Sequence, residues 1–375
     1  MDIFLIRGKI WQGGGHFCEA MIVRQGRIAA MGQRQELQHL ASGCRVLDCG
    51  WCTVIPGLFE PFVCLEKACG PLPFGVRHRK EGLRRWLLQA AREGYTTVQS
   101  CDLGGAVQKC DLPVIGQLYR EEKHLPRLQF LLPQNWPPRR GHRPEDRLPG
   151  FGGRLLSAED LPQVSHRGGQ RWIPVPDGAV LESVLEQLRH FPQPEGNPRR
   201  MTLLGVPCTT PRQLRELGEA AMEIVAFPGR LEDSLTACTA TPGAHPDTCC
   251  AWRTLSHLGA RVAFGSYDRL APFAALQKAL CRREILPTGV DRPSPEVLTL
   301  EESLLAMTKD AARTDFRESF TGVLAQGYRA DFVVLDRDIF TVSPQTVSAV
   351  RPVLTVAGGR VLWDEVGIDT GRERV

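Results

Sequence analysis

The chain has 375 residues, a mass of 41.6 kDa and a formal net charge of +4. Its apolar content of 42% and charged content of 23% are typical of a globular chain that buries a sizeable core. No stretch reaches the ~20 consecutive apolar residues that a membrane-spanning helix needs. The charge is also too small to indicate binding to nucleic acid or to an acidic membrane surface. We therefore expect neither nucleic acid nor membrane among the partners.

The first residues, Met1 to Gly8, lack the basic start and the small-residue cleavage site of a secretory signal peptide. We therefore expect a cytoplasmic protein. Its 13 cysteines, an odd number spread along the chain, are then expected to be mostly reduced and packed as small apolar side chains.

Both ends of the chain are predicted to form β-hairpins. Three segments share a pattern of apolar run, glycine, basic residue and apolar run: Phe4–Ile10, Ile22–Ile28 and Leu354–Leu362. Asp331–Asp336 adds a short apolar run between two acids, as expected of a buried strand. Because an isolated hairpin is only marginally stable, the two ends are predicted to share one small β domain.

The middle of the chain alternates short apolar runs with helical patterns, which is typical of parallel β/α units. Seven runs predict strands: Leu58–Cys64, Thr96–Cys101, Leu128–Leu132, Arg171–Val175, Met201–Val206, Met222–Phe227 and Arg261–Phe264. Their number and the length of the region indicate a (β/α)8 TIM barrel with one strand not visible. A capping box at Thr299–Glu302 predicts a helix that continues to about Ala312. The proline-rich segments 133–150 and 191–200 are predicted to be surface loops.

Two junctions resemble the amidohydrolase superfamily. The segment Cys44–Leu58, with Pro56-Gly57 at its end, is similar to the strand–turn–strand segment that precedes that superfamily's barrel. Gly322–Asp336 matches its closing signature, and the spacing is most similar to amidohydrolase family 3. The resemblance covers about 1–65 and 250–363 strongly and the region between them weakly. It implies a TIM barrel at 56–322 and a small β-sandwich built from both termini, 1–55 and 323–375.

The resemblance also implies metal-dependent hydrolysis of C–N bonds. In that superfamily one or two divalent metals at the carboxyl ends of the strands polarise the scissile carbonyl and activate water. The ligands are a His-x-His pair on the first strand, one His each on the fifth and sixth strands, and an Asp on the eighth. Some members add a carboxylated Lys on the fourth strand.

None of these ligands is found at the matching positions of this sequence. The positions of the family's ligands are matched to Phe62, Cys64, Ile173, Leu203 and Tyr267. Only Cys64 offers a metal ligand, and one thiolate is too few for a site that needs three or four. No lysine lies between Lys123 and Lys278, so the carboxylated lysine is absent as well. We therefore expect a degenerate centre with no metal and no other cofactor, the alternative being zinc or another divalent metal.

Asp268 follows Tyr267 directly, and a β-bulge there would be needed to turn its carboxylate to the former ligand position. A site rebuilt around Cys64, Tyr267 and Asp268 is therefore the alternative to a lost one. Cys64, Cys69 and Cys101 are also candidates for a thiol cluster at the barrel mouth.

Other cysteine and histidine patterns have a structural and a functional interpretation. Cys49-Gly50-Trp51-Cys52 has the spacing of a zinc or redox motif, but it lacks a second pair and the resemblance places it in a hairpin turn. Cys249-Cys250 is a vicinal pair, and His245 and His257 lie close enough in sequence for recruitment to a substitute metal site. The structural interpretation is favoured for each of them.

Two functions from different classes follow. The first is a non-catalytic binding or regulatory relative that keeps its barrel mouth for a small molecule. The second is an active hydrolase of non-peptide C–N bonds with a rebuilt or metal-free site. A homo-oligomer is compatible with both functions.

Overall fold

A computed structural model describes residues 2–133, 150–159, 170–190, 197–239, 246–285, 291–365 and 367. The first seven strands are β1 (Ile3–Ile6), β2 (Lys9–Gly13), β3 (His16–Cys18), β4 (Ala20–Arg24), β5 (Arg27–Gly32), β6 (Arg45–Asp48) and β7 (Thr53–Pro56). The next eight are β8 (Leu58–Val63), β9 (Tyr95–Ser100), β10 (Arg127–Pro133), β11 (Gly150–Leu155), β12 (Arg171–Val175), β13 (Thr202–Gly205), β14 (Glu223–Ala226) and β15 (Arg261–Phe264). The last are β16 (Arg283–Ile285), β17 (Asp291–Pro293), β18 (Phe332–Leu335), β19 (Pro352–Ala357) and β20 (Arg360–Asp364).

Helices lie between most of these strands. They are α1 (Arg34–Leu37), α2 (Leu65–Cys69), α3 (Val76–Arg92), α4 (Leu112–Glu121), α5 (Gly178–His190), α6 (Pro211–Glu219), α7 (Leu231–Thr239), α8 (Trp252–His257), α9 (Pro272–Leu280), α10 (Leu300–Met307) and α11 (Lys309–Arg313). None of the helices in the described part of the chain combines the length and the apolarity needed to cross a membrane.

The terminal segments form two sheets that share one core. One sheet has the order β5-β4-β1-β6, and the other has the order β20-β19-β18-β7-β2-β3. Leu5 and Val23 of the first sheet pack against Val54, Phe332 and Val356 of the second, and all five are buried. The predicted strand-rich unit from both termini is therefore confirmed, while its boundaries at 55/56 and 322/323 stay a prediction.

Two of the three predicted hairpins form, and their turns touch. β4–β5 and β19–β20 are antiparallel pairs joined at Gln25-Gly26 and Gly358-Gly359. A Cβ atom on Gly26 would lie 2.7 Å from the Gly358 carbonyl oxygen, so this close approach requires glycine. The hairpin predicted at Phe4–Ile10 is wrong, because β1 pairs with β4 and β6 whereas β2 pairs with β3 and β7.

The middle of the chain forms an eight-stranded parallel sheet in the order β8 to β15, which confirms the predicted barrel. These are strands one to eight of the barrel below. The strand that the sequence did not reveal is β11, which begins at Gly150 and pairs with β10 and β12. Residues 134–149, most of the first predicted loop, and 191–196 of the second lie outside the described residues.

A side chain helps to close the barrel where backbone pairing is sparse. Strands one and eight meet through a bridge between Val63 and Tyr267, beyond the end of β15. Beneath it, the buried carboxylate of Glu60 accepts hydrogen bonds from the backbone N–H and the hydroxyl of Ser266. The Tyr95 hydroxyl lies 2.9 Å from the same serine hydroxyl. Glu60 thus joins the first strand to the segment that follows the last.

A buried ion pair joins the barrel to the terminal sheets. Arg127, on strand three, donates to both carboxylate oxygens of Asp331 at 2.9 and 3.0 Å. Asp331 lies just before β18 and also accepts hydrogen bonds from the Thr321 hydroxyl and the Gly358 N–H, each at 2.7 Å. Burial alone would raise the pKa of Asp331, but these partners outweigh it and the pKa lies below its ordinary value.

The predicted helix after the barrel is divided. Thr299 caps α10, and Glu302 completes the capping box. At Thr308 the backbone leaves the helical region, with φ −126° and ψ −85°, and α11 begins at the next residue. Ala311 and Ala312 of α11 then pack into the barrel interior.

Candidate site at the barrel mouth

The barrel strands alternate between an inner and an outer layer of side chains. Phe59, Leu131 and Trp172 lie in the inner layer, which is the interior of the barrel. Ile173 and Leu203 lie in the outer layer, packed between the strands and the surrounding helices. The five residues matched to the family's ligands are therefore not brought together, because Phe62 and Tyr267 face inward and Ile173 and Leu203 do not.

The inward positions on strands five and six hold other residues. Trp172 and Leu204 belong to the inner layer. Because side chains alternate along a strand, Pro174 takes the next inward position toward the carboxyl end of strand five. Ile173 and Leu203 each lie one residue away from an inward position, and a shift of one residue exchanges the faces of a strand. The inward residues Pro174 and Leu204 offer no metal ligand either.

Three aromatic side chains form a cluster at the carboxyl ends of strands one, seven and eight. The ring centroids of Phe62 and Phe227 lie 5.8 Å apart, those of Phe227 and Tyr267 5.2 Å apart, and those of Phe62 and Tyr267 6.2 Å apart. Such separations are typical of favourable aromatic contacts. Phe62 is buried, and its partners are largely buried. We call Phe62, Phe227 and Tyr267 the aromatic cluster.

Two cations lie over the outermost ring of the aromatic cluster. The Arg230 guanidinium is 4.6 Å and the Lys67 ammonium 5.1 Å from the centroid of Tyr267. Tyr267 also raises the pKa of Lys67, so this side chain stays charged at neutral pH. Tyr267 is held in place by its own backbone, since its N–H donates to Phe62 and its carbonyl accepts from Cys64. Sequence reasoning did not identify Phe227, Lys67 or Arg230 as residues of this site.

Cys64 lies beside the aromatic cluster, at the start of α2. Its thiol is 3.4 Å from Asp102 Oδ1 and is hydrogen-bonded to Cys101, which lowers the pKa of Cys64. Asp102 also accepts hydrogen bonds from the N–H groups of Leu65 and Glu66 and from the Ser100 hydroxyl. This carboxylate is therefore occupied in holding the loop.

Asp268 does not take the ligand position that a β-bulge would give it. Its backbone N–H donates to the Ser266 carbonyl, and its carboxylate is close enough to Lys67 to raise the pKa of that lysine slightly. Tyr267 is packed with the inner layer. The rebuilt site proposed around Cys64, Tyr267 and Asp268 is thus only partly assembled.

The residues at the mouth do not fit a divalent metal. The inner layer presents the aromatic cluster, Leu204 and Cys101 there, and none of these side chains carries the carboxylate or imidazole that such a metal site uses. Within the described ranges, one set of three or more His, Cys, Asp or Glu side chains has the spacing of metal ligands, and it lies elsewhere: Cys208, Cys238 and Cys249.

The remaining cysteine and histidine candidates are placed as follows. Cys49 and Cys52 lie in a turn, and burial raises the pKa of Cys49 to about 12, in keeping with a structural thiol. Cys69 is not part of the Cys64–Cys101 pair, and burial raises its pKa to about 11. His257 is exposed, and His245 lies outside the described residues.

Cys249, from the vicinal pair, lies close to Cys208 and Cys238. No spacing pattern in the sequence connects these three cysteines.

Comparison with known proteins gives a consistent result. The sequence profile of the amidohydrolase family matches residues 171–363, just over half of the chain. "Putative amidohydrolase YtcJ" of Bacillus subtilis (strain 168) is 29% identical over 122 residues, which are 32% of this chain and 23% of that protein. The chain therefore matches less than a quarter of the length of this curated relative.

Two solved structures show the same fold. An uncharacterized metal-dependent hydrolase from Pyrococcus furiosus has a TM-score of 0.71 and 12% identity, covering 92% of this chain and 100% of the other. An adenosine deaminase from Xanthomonas campestris with bound zinc has a TM-score of 0.65 and 14% identity, covering 97% and 93%.

These structures correct one expectation. The sequence led us to expect no cofactor, but similar folds are those of metal-dependent hydrolases and one of them holds zinc, so a divalent metal is the cofactor to which the comparisons point. The architecture and the profile agree with each other over the second half of the barrel and the closing strands. The chain belongs to the amidohydrolase family.

Proposed function

We propose that this member of the amidohydrolase family does not run a hydrolytic reaction at its barrel mouth and instead binds a small molecule there, in a binding or regulatory role. The aromatic cluster carries the proposal. Phe62, Phe227 and Tyr267 occupy inward positions at the carboxyl ends of three strands, the end at which TIM barrels hold their reacting groups. Three packed rings there take up space that the ligands and the water of metal-assisted hydrolysis would need.

The charges around the cluster favour a ligand with an anionic group. Lys67, from α2, and Arg230, from the segment before α7, both lie close to the ring of Tyr267. Arg230 has a loose contact with Asp233 at 3.6 Å, with Asp233 largely exposed, and such exposed pairs are worth little. Arg230 can therefore turn toward a carboxylate or phosphate group at the mouth, with the Lys67 ammonium close by on the same ring.

A test of the first part of the proposal is a hydrolysis assay. The purified chain, supplemented in turn with Zn²⁺, Mn²⁺ and Fe²⁺, is incubated with N-acyl amino acids, cyclic amides and amino-heterocycles, and ammonia or amine release is measured. We expect no metal-dependent turnover. Turnover that follows added metal and is unaffected by loss of Cys64 would overturn the proposal.

A binding assay tests the second part. Small aromatic carboxylates and phosphates are screened by the shift in unfolding temperature, and bound compounds are re-measured with R230Q. We expect weaker binding in R230Q by about tenfold, the equivalent of ~1.4 kcal/mol. R120Q is the control, since Arg120 is exposed on α4, away from the mouth. Equal affinity of the two variants for every bound compound would place the ligand elsewhere.

One observation favours a second function. Cys64 is half-buried at the mouth, and its thiol has a lowered pKa because of its hydrogen bond to Cys101. A thiol with a lowered pKa is a nucleophile, so metal-free hydrolysis of C–N bonds through a thioester or related intermediate is the alternative.

Alkylation decides whether Cys64 is such a nucleophile. Iodoacetamide labelling followed by peptide mapping is expected to show Cys64 modified at lower pH than Cys69, whose pKa is raised by burial. If C64S abolishes a turnover that C69S retains, the chain is a thiol hydrolase and not a binding protein.

A further inference from the structure

A disulfide and a free thiol lie side by side near the carboxyl ends of strands six and seven. The disulfide joins Cys208, which follows strand six, to Cys238 in the last turn of α7, and their Cα atoms are 5.3 Å apart. The free thiol belongs to Cys249, just before α8. The three sulfur atoms all lie within 4.8 Å of one another, and each residue is at most 3% exposed. A disulfide with a third cysteine in contact is the arrangement that thiol–disulfide exchange requires.

Cys208 is placed to bond with either neighbour. Cys208 and Cys249 are opposite residues of an isolated antiparallel bridge, and beside them the Cys250 N–H donates to the Pro207 carbonyl at 2.8 Å. Because this hydrogen bond flanks the two cysteines, they form a non-hydrogen-bonded pair, in which Cα atoms are about 4.5 Å apart. That separation lies within the usual range of disulfides, about 4.4–6.8 Å. Cys208 therefore has one bonding partner on α7 and a second across the bridge.

A buried cation lies beside the free thiol. Arg282 is 3% exposed, and it donates to the carbonyl oxygens of Cys249 and Cys250. Burial raises the pKa of Cys249 to about 11, although the charge of Arg282 acts in the opposite direction. The attacking species in exchange is the thiolate, and a thiolate of higher pKa is the stronger nucleophile once it has formed. Arg282 supplies the positive charge that stabilises a transient thiolate at Cys249.

The sulfur that exchange releases also has a hydrogen-bond acceptor in place. Cys238 Sγ lies 2.9 Å from the Pro207 carbonyl oxygen. Once Cys238 is a thiol, it can therefore donate to this carbonyl without moving. Because a buried polar group is tolerated when it is hydrogen-bonded, the surroundings accommodate the free Cys238 thiol as well as the disulfide.

We propose that Cys208, Cys238 and Cys249 form an exchanging disulfide centre, in which Cys208 is bonded in turn to Cys238 and to Cys249. The Cys249 thiolate attacks Cys208 Sγ, so that the Cys208–Cys249 bond forms as the Cys208–Cys238 bond breaks. Cys238 leaves as a thiolate and takes up the proton that Cys249 lost. One disulfide and one thiol are present before and after, so the step needs no oxidant or reductant, and the buried sulfurs need no access from solvent.

Exchange changes how α7 is anchored. Before its first residue, the Lys278 ammonium donates to the Gly229 carbonyl at 2.9 Å. In its last turn, the disulfide links Cys238 covalently to the segment after strand six. Transfer of the disulfide to Cys249 removes the second anchor and leaves the first. The end of α7 is therefore loosened, while Arg230, next to Gly229, keeps its place at the mouth.

Disulfide mapping of the wild-type chain tests the exchange. Purified protein is incubated without oxidant or reductant, its thiols are blocked with N-ethylmaleimide in mildly acidic denaturant, and its peptides are mapped under non-reducing conditions by mass spectrometry. Trypsin leaves Cys238 and Cys249 on one peptide, so a protease that cleaves before Asp247 is added to separate them. We expect both the Cys208–Cys238 and the Cys208–Cys249 links. A Cys208–Cys238 link alone overturns the proposal.

Matched variants identify the thiol that attacks. C249S is expected to keep only the Cys208–Cys238 link, whereas C250S is expected to show both links. Cys250 is the control because it is equally buried and adjacent but lies outside the set of three sulfurs. A second link that persists in C249S and is lost in C250S would assign the attack to the wrong residue and overturn the proposal.

C238S tests the second pairing directly. With oxidised glutathione, we expect its Cys208 and Cys249 thiols to be joined, while glutathione disulfide accepts their two electrons and leaves as two thiols. Two free thiols in folded C238S would overturn the proposal.

Hydrogen exchange measured by mass spectrometry follows the consequence for α7. Relative to C249S, oxidised C238S is expected to exchange the amides of residues 236–239 at least about threefold faster, because the end of the helix has lost its covalent anchor. The first turn of α7 should exchange equally in both variants. Equal rates along the whole helix would overturn the proposed loosening. None of these measurements depends on hydrolysis or on ligand binding at the mouth, so failure here is distinct from failure of the proposed function.

Discussion

Two buried carboxylates close two different seams of this molecule, and their ionisation differs. Asp331 joins the barrel to the terminal sheets through the charged Arg127, and its pKa lies below the ordinary value despite burial. Glu60 joins strand one to the segment after strand eight through uncharged donors alone, and burial raises its pKa to about 7. Burial is similar at the two seams, so the partner decides whether the group carries its charge.

The comparison extends to the mouth. In the seam between the barrel and the terminal sheets, both carboxylate oxygens of Asp331 accept hydrogen bonds. At the mouth the inward positions hold rings in place of charge. The molecule therefore uses buried charge to fix the relation of two substructures, and it fills the inward positions of the mouth described above with rings.

The largest expected effect is that of breaking the Arg127–Asp331 pair. D331N leaves a buried guanidinium without its counter-charge, and we expect a loss of about 3–5 kcal/mol in the free energy of unfolding, measured by urea denaturation. D336N is the matched control, because Asp336 lies at the other end of β18 and pairs with the exposed Arg337 and Arg351. Its loss should stay below about 1 kcal/mol. Equal losses would show that the seam depends on packing and not on charge.

The pH dependence of stability should have opposite signs at the two seams. The folded pKa of Asp331 is lowered, so its contribution is present above the unfolded pKa of ~3.9 and is lost as the pH falls. The folded pKa of Glu60 is raised, so its native state is favoured below ~4.3 and is penalised as the pH rises toward about 7.

Substitution of Glu60 isolates the second effect. Relative to wild type, E60Q should gain up to about 3 kcal/mol in unfolding free energy between pH 4 and pH 8, since one pKa unit corresponds to ~1.4 kcal/mol. E81Q, on the exposed face of α3, should follow wild type across this range. If the unfolding free energies of E60Q and wild type change with pH in parallel, folding does not raise the pKa of Glu60, and Glu60 is ionised in the folded protein.

A smaller effect is expected from restoring ligands to the mouth. The triple variant F62H/C64H/Y267D places polar groups among rings, and we expect a loss of about 1–3 kcal/mol in stability. We also expect no metal-dependent hydrolysis, because Pro174 and Leu204 still hold the inward positions of strands five and six. Ammonia release that requires added metal would show that a metal centre can form without ligands from strands five and six.

The barrel and the terminal β unit were predictable because their strands and turns have local sequence patterns, and because the chain resembles a known family. The apolar runs identified seven strands, and the Gln25-Gly26 turn identified one hairpin. The fourth strand was missed because Gly150, Gly152 and Gly153 give it little β-propensity. The false hairpin at Phe4–Ile10 has a sequence like the true ones, and the fact that β1 and β2 lie in different sheets is decided by their distant partners.

The site was less predictable for a related reason. Strands buried on both faces are apolar at consecutive positions, so the sequence Trp172-Ile173 does not reveal which residue faces inward. Tyr267 has a positive φ of 57°, which no strand pattern indicates. Lys67 and Arg230 reach the mouth from loops and short helices, and Cys208, Cys238 and Cys249 meet from three separate segments. Contacts of this kind depend on tertiary structure and leave no periodic signal.

The pairing of β7 with β18 has a consequence for how the protein is made. Val54 lies opposite Val334, so the two strands are separated by roughly 280 residues of chain. At ribosomal rates of 5–20 residues per second, the first terminal strands wait on the order of 14–56 seconds for their partner. During that time the edge of β7 that β18 later covers is open to other chains. Slower elongation lengthens this wait, so it should favour aggregation through the amino-terminal strands, and faster elongation should favour soluble protein.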